Sequence, residues 1–273
     1  YFNTVLYTGN GYPTTGTQSI TGVGFKPDWV WIKNRDRAGY NHYILDSLRG
    51  ATKVVRANVT NAENTEPASL TSFDADGFSL GDNNEVNYQN DNIVAFCWKA
   101  GGAPTASNTA GVGQVPTAGS VLINGKQATA PLAGSIKIDK LSANTISGFS
   151  IVTYTANSNT QCTLPHGLNS APNMVIIKNR SSSSNGQWVI GQDISGFTGQ
   201  LYFDTGAFSS NSGSFANTAP TSSVVTINTD NTVNEGTDDF VMYCFHSVEG
   251  YSKIGAYTGN NNSDGVFVYT GFR

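Results

Sequence analysis

The chain has 273 residues, of which 12% are charged, and it carries a formal net charge of −4. It lacks the basic field typical of nucleic-acid-binding proteins, and no basic amphipathic helix or apolar run of about 20 residues points to a membrane. Hydrophobic residues make up 38% of the chain, enough for packed cores in one large domain or two small ones.

Short apolar runs bounded by Gly, Asn, Asp and Pro recur along the chain at spacings typical of β-sandwiches. In chain order they include "TVLYTG", "DWVWIKN", "NHYILDS", "FSIVTYT", "NMVIIKN", "SSVVTIN" and "GVFVYTGF". No long stretch has the 3.6-residue periodicity of an amphipathic helix. The sequence therefore predicts an all-β protein built from antiparallel sheets.

The chain contains an internal repeat. "GFKPDWVWIKNR" matches "LNSAPNMVIIKNR", and "DNIVAFCWKAGG" matches "DDFVMYCFHSVEG". The Lys33–Lys178 pair is separated by 145 residues and the Cys97–Cys244 pair by 147, so the blocks share nearly one offset. A further partial copy, "IGAYTGNNNSDGVFVYTGFR", resembles residues 5–26. Such self-similarity predicts tandem modules.

Four segments follow from this repeat. Residues 1–102 are predicted to form the first β-sandwich and 146–250 the second. Residues 103–145 have the Gly, Ala, Ser and Thr content of a linker, with a hairpin signal at Asn124-Gly125. Residues 251–273 either begin a third repeat or supply closing strands to the second.

Two strands in each module are apolar on both faces. In "DWVWIK", Trp29 and Trp31 point to one face, whereas Val30 and Ile32 point to the other. An ordinary sandwich strand is apolar on one face only. The second face must therefore contact a loop, the other module or another subunit, and one interpretation is a homo-oligomer, for example a closed trimer.

The number and positions of the Cys and His residues favour structural roles for them over metal binding or catalysis. The three Cys are predicted to be buried and unpaired, because their number and spacing fit neither a disulfide framework nor a zinc site. His42, His166 and His246 occupy non-equivalent positions of the repeat. "FDADGFSLG" reads as a hairpin rather than a calcium loop, since the full pattern of calcium ligands is missing. The sequence therefore predicts no metal site and no cofactor.

No catalytic motif is present, and no pair of carboxylates stands out as in a glycosidase. The repeated "IKNR" is interpreted as architecture, with Arg35 contributing to stability. Binding is expected instead in the unrepeated loop that follows, because loops on a rigid scaffold carry recognition. The candidate residues are Arg37, Tyr40 and His42 in this region, together with Trp188, for which core packing is the alternative.

Several motifs together resemble a known family: "YTGNG", "GFKPDWVWIKNR", "HYILDSLRGATK", "FDADGFSLG", "VAFCWKAGG", "GFSIVTYT", "PHGL", "VEGYSKIGAYTGN" and "DGVFVYTGFR". They are similar to a repeat domain of structural proteins in marine tailed bacteriophages, cyanophage-like and pelagiphage-like viruses, usually described as tail-fibre or virion-surface proteins. The resemblance implies a virion location and jelly-roll-like sandwiches similar to concanavalin-type or laminin-G-type folds. It supplies no catalytic or binding residue.

Three functions are compatible with these observations. The leading one is a non-enzymatic tail-fibre or adhesin segment on the virion surface, assembled in the host cytoplasm, with host surface glycans, other virion proteins and itself as partners. The second is a capsid-decoration or head-fibre protein with a purely structural role. The third, from a different class, is a tailspike polysaccharide depolymerase. Nucleic acid and membrane insertion are not expected.

Overall fold

Two large β-sheets, one from each repeat, stack face to face in the computed structural model, which describes residues 1–272. A smaller sheet covers the outer face of each large sheet. The predicted all-β sandwich class is therefore confirmed. The only α-helix among the described residues is the single turn α1, Asn231–Asn234, and no helix there is long and apolar enough to cross a membrane.

The first module contains nine strands. They are β1 (Phe2–Thr8), β2 (Gln18–Ile20), β3 (Trp29–Asn34), β4 (Tyr43–Asp46), β5 (Lys53–Arg56), β6 (Asn64–Thr65), β7 (Leu70–Asp74), β8 (Gly77–Leu80) and β9 (Asn92–Trp98). The large sheet has the order β1-β9-β3-β4-β5-β6, and the small sheet has the order β2-β8-β7. A core that includes Val30, Ile32, Phe78 and Leu80 fills the space between them.

The second module repeats this plan with additions. Its strands are β10 (Val121–Ile123), β11 (Lys126–Gln127), β12 (Ile138–Asn144), β13 (Phe149–Thr155), β14 (Cys162–Pro165), β15 (Met174–Asn179), β16 (Trp188–Gln192), β17 (Gln200–Tyr202), β18 (Phe208–Ser209), β19 (Val224–Ile227) and β20 (Asp239–Phe245). The large sheet has the order β11-β10-β12-β13-β20-β15-β16-β17-β18, and β14 pairs with β19. Among the described residues of this module, the only parallel pairing of strands is that of β10 with β12, near one edge of the sheet.

The doubly apolar strands are explained by the contact between modules. Trp29 faces the second module, where its ring centroid lies 5.0 Å from that of Tyr243, while Val30 and Ile32 face the core of the first module. In the second module Ile176 faces the shared interface and Val175 faces inward. The predicted alternation is confirmed, and the cover for the second face is the other module.

A buried ionic cluster also joins the two modules. The Arg49 guanidinium bonds Asp46 at 2.5 Å and Glu63 at 3.0 Å, and Glu63 accepts from Arg180 of the second module at 2.9 Å. Tyr243, also from the second module, donates its hydroxyl to Asp46 at 2.8 Å. Burial opposes the charge on Arg49, but the surrounding acidic groups outweigh it and raise the pKa of that guanidinium.

Three local predictions hold in the structure. "FDADGFSLG" forms the β7–β8 hairpin, and Asn124 and Gly125 turn the β10–β11 hairpin with positive φ angles of 52° and 79°. Cys97, Cys162 and Cys244 are all buried and unpaired. Residues 254–272, the described part of the partial third copy, form no strand.

Candidate functional site

A repeated asparagine shapes the loop that leaves β3 and its counterpart β15. The Asn34 side-chain oxygen accepts from the backbone N–H groups of Asp36 and Arg37, and its amide donates to Asp91 at 2.8 Å. Asn179 makes the same three bonds, to Ser181, Ser182 and Asp238. The asparagine of "IKNR" therefore has a structural role, because it makes the same three hydrogen bonds in both copies.

Lys33 then holds the unrepeated loop in place. Its ammonium donates to the backbone oxygens of Arg37 at 3.1 Å and Tyr40 at 2.7 Å. Burial lowers the pKa of Lys33, and nearby Glu85 partly offsets that effect. The Lys33 ammonium is therefore engaged in hydrogen bonds within the loop, and these bonds hold the residues that face solvent in place.

An aromatic cluster, formed by Tyr12, Arg37, Tyr40 and Tyr88, lies on this loop and its neighbours. The Arg37 guanidinium carbon lies 3.6 Å from the centroid of the Tyr88 ring and 5.6 Å from that of Tyr40. The Tyr12 ring centroid is 5.4 Å from that of Tyr88, and Tyr12 is exposed. Stacking of a guanidinium on aromatic faces immobilises both groups, so the cluster presents a pre-arranged surface.

The charge of Arg37 is paired within the protein. Its Nε donates to Asp91 at 2.5 Å, and this hydrogen bond is the main cause of its raised pKa. At the border of the cluster, Glu85 accepts from the backbone and the side-chain amide of Asn41 at 2.6 and 3.1 Å. The cluster therefore combines aromatic faces with amide and carboxylate groups and has no unpaired arginine charge.

His42 points away from this cluster. Its Nδ1 accepts from the indole N–H of Trp31 at 3.1 Å, and the two rings meet edge to face. Burial, followed by the charge of Lys33, lowers the pKa of His42. The ring lines a small cleft of about 170 Å³ with Trp31 and Phe203, at the edge of the interface between modules.

Trp188 lies fully inside the protein. Its indole N–H donates to the backbone oxygen of Arg56 at 2.7 Å, and its ring packs in the core shared by the two modules. The register places Trp188 at the position equivalent to His42, since Ile190 opposes Ile176 as Ile44 opposes Trp31. Trp188 therefore has the core-packing role that was the alternative to ligand binding, because its ring is not exposed to solvent.

The structure thus brings Arg37 and Tyr40 together and separates His42 and Trp188 from them. Sequence reasoning missed Tyr12 and Tyr88, which flank this loop although they are far apart in the chain. The signal available was weak, because both tyrosines lie in polar segments, "GNGYPTT" and "NYQND", away from any strand pattern.

Comparison with protein families identifies the repeat. A family model described as a domain of unknown function, DUF7483, matches residues 1–124 and again residues 122–273. The chain belongs to this family. It contains two tandem DUF7483 domains, in agreement with the internal repeat. No curated protein matches the chain, and no solved structure does.

The two DUF7483 copies differ at the aromatic cluster. Arg37 is replaced by Ser182 in the second copy, whose lysine, Lys178, instead donates to the backbone of Gly186 and, at 3.0 Å, of Thr60. The second-copy loop therefore docks on the first module, whereas the first-copy loop faces solvent.

The arginine of "IKNR" also differs between the copies. Arg180 forms an ion pair with Glu63 across the module interface, while Arg35 is exposed. The stabilising role predicted for Arg35 therefore has no structural basis at that exposed residue, and it is the equivalent Arg180 that contacts the other module.

Proposed function

We propose that this protein is a non-enzymatic virion surface protein, a tail-fibre or adhesin segment, whose first module binds host-cell-surface glycan through the aromatic cluster. The proposal joins the resemblance to phage structural proteins with a surface whose chemistry suits sugars. Host glycan, other virion proteins and further copies of the chain are its proposed partners, and the virion surface is its proposed location.

The observation that supports it best is the stacked arrangement of Arg37 on Tyr88, flanked by Tyr12 and Tyr40. A sugar ring has an apolar face of C–H groups that packs on an aromatic ring, while its hydroxyls bond amides and carboxylates. Tyrosine offers such an amphipathic surface at low entropic cost. Because Lys33 and Asn34 fix the loop from beneath, little ordering is needed on binding.

A structural virion role is the second candidate, as a capsid-decoration or head-fibre protein. It is favoured by a different observation, the exposed apolar side chains of the C-terminal segment, which suit assembly more than recognition of a sugar. The two candidates are separated by whether the aromatic cluster binds any cell-surface polysaccharide.

Substitution of Tyr88 by Ala is expected to weaken glycan binding roughly tenfold or more, because loss of a central stacked aromatic residue commonly costs over 1 kcal/mol. Binding is measured by calorimetry with polysaccharide purified from the host envelope, after a glycan array has defined the ligand. Phe208→Ala, which removes an exposed aromatic side chain of the second module, is the matched control and should bind as the parent does.

Equal binding by the parent and Tyr88→Ala would contradict the assignment of this cluster. Absence of binding by the parent protein to whole host cells and to every host polysaccharide would instead favour the structural role. Circular dichroism of each variant checks that the sandwich is intact.

A further inference from the structure

Strand β1 forms an open edge of the first large sheet. Among residues 1–272 it pairs with β9 alone. The backbone hydrogen bonds between Tyr1 and Lys99 and between Gly9 and Asp91 show that the N–H and C=O groups of odd-numbered residues point toward β9. The backbone groups of even-numbered residues therefore face outward, because the two directions alternate along a strand.

Leu6 lies at the centre of this outer edge. The neighbouring outward groups are used locally, since the Thr4 N–H donates to the Asn3 side chain and the Thr8 oxygen accepts from Gln18. The Leu6 N–H and C=O have no partner within the part of the chain that the structure describes. They are available for another strand.

The second module shows what such an edge accommodates. Its equivalent strand β13 lies between β20 and β12, so its outer edge is paired. Phe149 and Thr153 of β13 are 1% and 4% exposed, whereas their counterparts Phe2 and Leu6 are 42% and 68% exposed. Within residues 1–272, Phe2 and Leu6 therefore lie uncovered on a surface whose counterpart in the second module is buried.

This edge carries none of the features that usually prevent pairing. Phe2–Thr8 contains no charged residue and no proline, the residues with which proteins protect exposed strands. Its exposed face is also continuous with the established interface between modules, since the Phe2 ring lies 4.6 Å from that of Trp98. Phe2 and Trp98 line an aromatic cleft of about 470 Å³ together with Phe149 and Phe245.

The same chain carries an unpaired C-terminal segment whose sequence resembles that of β1 and β2. In the partial third copy, Tyr257 corresponds to Tyr7 and Phe267 to Ile20. Ile20 is 5% exposed in its core, but Phe267 is 88% exposed, and Tyr257 is exposed as well. The segment leaves its module beside the cleft, where Ile254 and Phe272 contribute to the lining.

We propose that the C-terminal segment, residues 254–272, adds as a strand to the β1 edge of a second copy of this chain. Backbone bonds to Leu6 would extend the sheet, and the apolar side chains of the segment would cover Phe2 and Leu6. This is strand addition, in which main-chain bonds supply affinity and alternate side chains supply specificity. Donor and acceptor surfaces are different, so the contact is head-to-tail and generates open chains of molecules.

Two variants separate the donor from the acceptor. Leu6→Pro removes the outward N–H without removing a bond to β9, and proline is tolerated on an edge strand. Tyr257→Lys with Phe267→Lys places two charges on the C-terminal segment. The parent is expected to form a concentration-dependent series of oligomers in sedimentation velocity, and each variant alone is expected to be monomeric.

Mixing the two variants gives the decisive result. The Leu6→Pro chain retains a donor and the doubly charged chain retains an acceptor, so an equimolar mixture should form a 1:1 dimer that grows no further. Leu6→Val, which keeps both the N–H and an apolar side chain, should assemble as the parent does.

Three outcomes would overturn the proposal. They are a parent protein that stays monomeric up to about 100 µM, oligomers that persist in the doubly charged variant, and a mixture that contains only monomers. A closed parent dimer lost only in Leu6→Pro would indicate pairing of β1 with β1 and would exclude the C-terminal segment as occupant. Thermal melting confirms that each variant remains folded.

Discussion

Substitution of Arg49 by Met is expected to lower the free energy of unfolding by about 3–5 kcal/mol, the usual cost of removing one partner from a buried ion pair. The side chains of both Arg49 and Asp46 are fully buried. Without the guanidinium, Asp46 keeps its bonds to Tyr243 and to backbone N–H groups but loses its balancing charge. Glu63 loses one of its two cationic partners at the same time.

The loss should affect both modules together. Asp46 and Glu63 belong to the first module, while Tyr243 and Arg180 belong to the second, so the cluster is part of the contact between them. Urea unfolding followed by tryptophan fluorescence measures the change in the free energy of unfolding, and calorimetry of the parent and the variant tests whether the two modules unfold in one transition. Arg35→Met is the matched control, because Arg35 is exposed, and it should change stability by less than about 0.5 kcal/mol.

A second substitution tests the electrostatic explanation. Adding Asp46→Asn to Arg49→Met removes the uncompensated carboxylate and should recover part of the lost stability. A loss below about 1 kcal/mol in the single variant would argue that water reaches the cluster and screens its charges. A double variant less stable than the single one would indicate that the Asp46 carboxylate acts chiefly as a hydrogen-bond acceptor.

The faces of the strands could be predicted from local sequence, whereas the partner of each face could not. The alternation of Trp29 with Val30 follows from the two-residue period of a strand. That Trp29 meets Tyr243 depends on how two complete sheets stack, and no local pattern encodes that contact. From the sequence alone, the second apolar face of these strands could contact a loop, the other module or another subunit. The structure shows that it contacts the other module.

The candidate site shows the same division. Comparison of the repeats located the unrepeated loop with Arg37 and Tyr40, because divergence on a shared scaffold is visible in the sequence. Tyr88 was missed because it approaches Arg37 only after β9 has paired with β3. Trp188 was a candidate because the sequence shows that a residue is aromatic but does not show how deeply its side chain is buried.

Arg35 and Arg180 illustrate the limit most clearly. They occupy the same place in the same motif, yet Arg180 has a long-range partner in Glu63 and Arg35 is exposed. A repeat preserves the backbone environment of a residue, but the side chain's partner depends on which surface of the repeat meets the other copy. The role of a charged residue in a repeated motif therefore depends on how the two modules pack together, which the motif alone does not show.

Acidification is expected to destabilise the protein through His166, which is fully buried. Its Nδ1 accepts from the Leu168 N–H at 3.1 Å, which leaves Nε2 as the protonated nitrogen, 3.2 Å from the Thr221 oxygen. The fold thus fixes a neutral ring. Burial lowers the pKa of His166 from 6.5 to about 4, with a smaller contribution from His246.

The sign of the effect follows from proton uptake. Between pH 6.5 and 4 the unfolded chain binds a proton at His166 while the folded chain does not, so the unfolded state gains stability as the pH falls. The stability contributed by this histidine is therefore present above pH 6.5 and declines toward pH 4, by up to about 3 kcal/mol. Below that pH the folded protein also binds the proton and the effect levels off.

Comparison with His166→Gln isolates this contribution. Glutamine does not titrate in this window, so its variant, although less stable at pH 7.5, should lose less stability on acidification than the parent. The difference between the two unfolding free energies, measured in urea from pH 7.5 to 4.2, cancels the titration of the other groups. A difference that is constant across this range would show that His166 has the same pKa in the folded and unfolded states, as expected if water reaches the ring, and a difference that widens on acidification would show that the fold favours the protonated ring. A difference that narrows by about 3 kcal/mol would establish the neutral, buried ring as an acid-sensitive element of the second module.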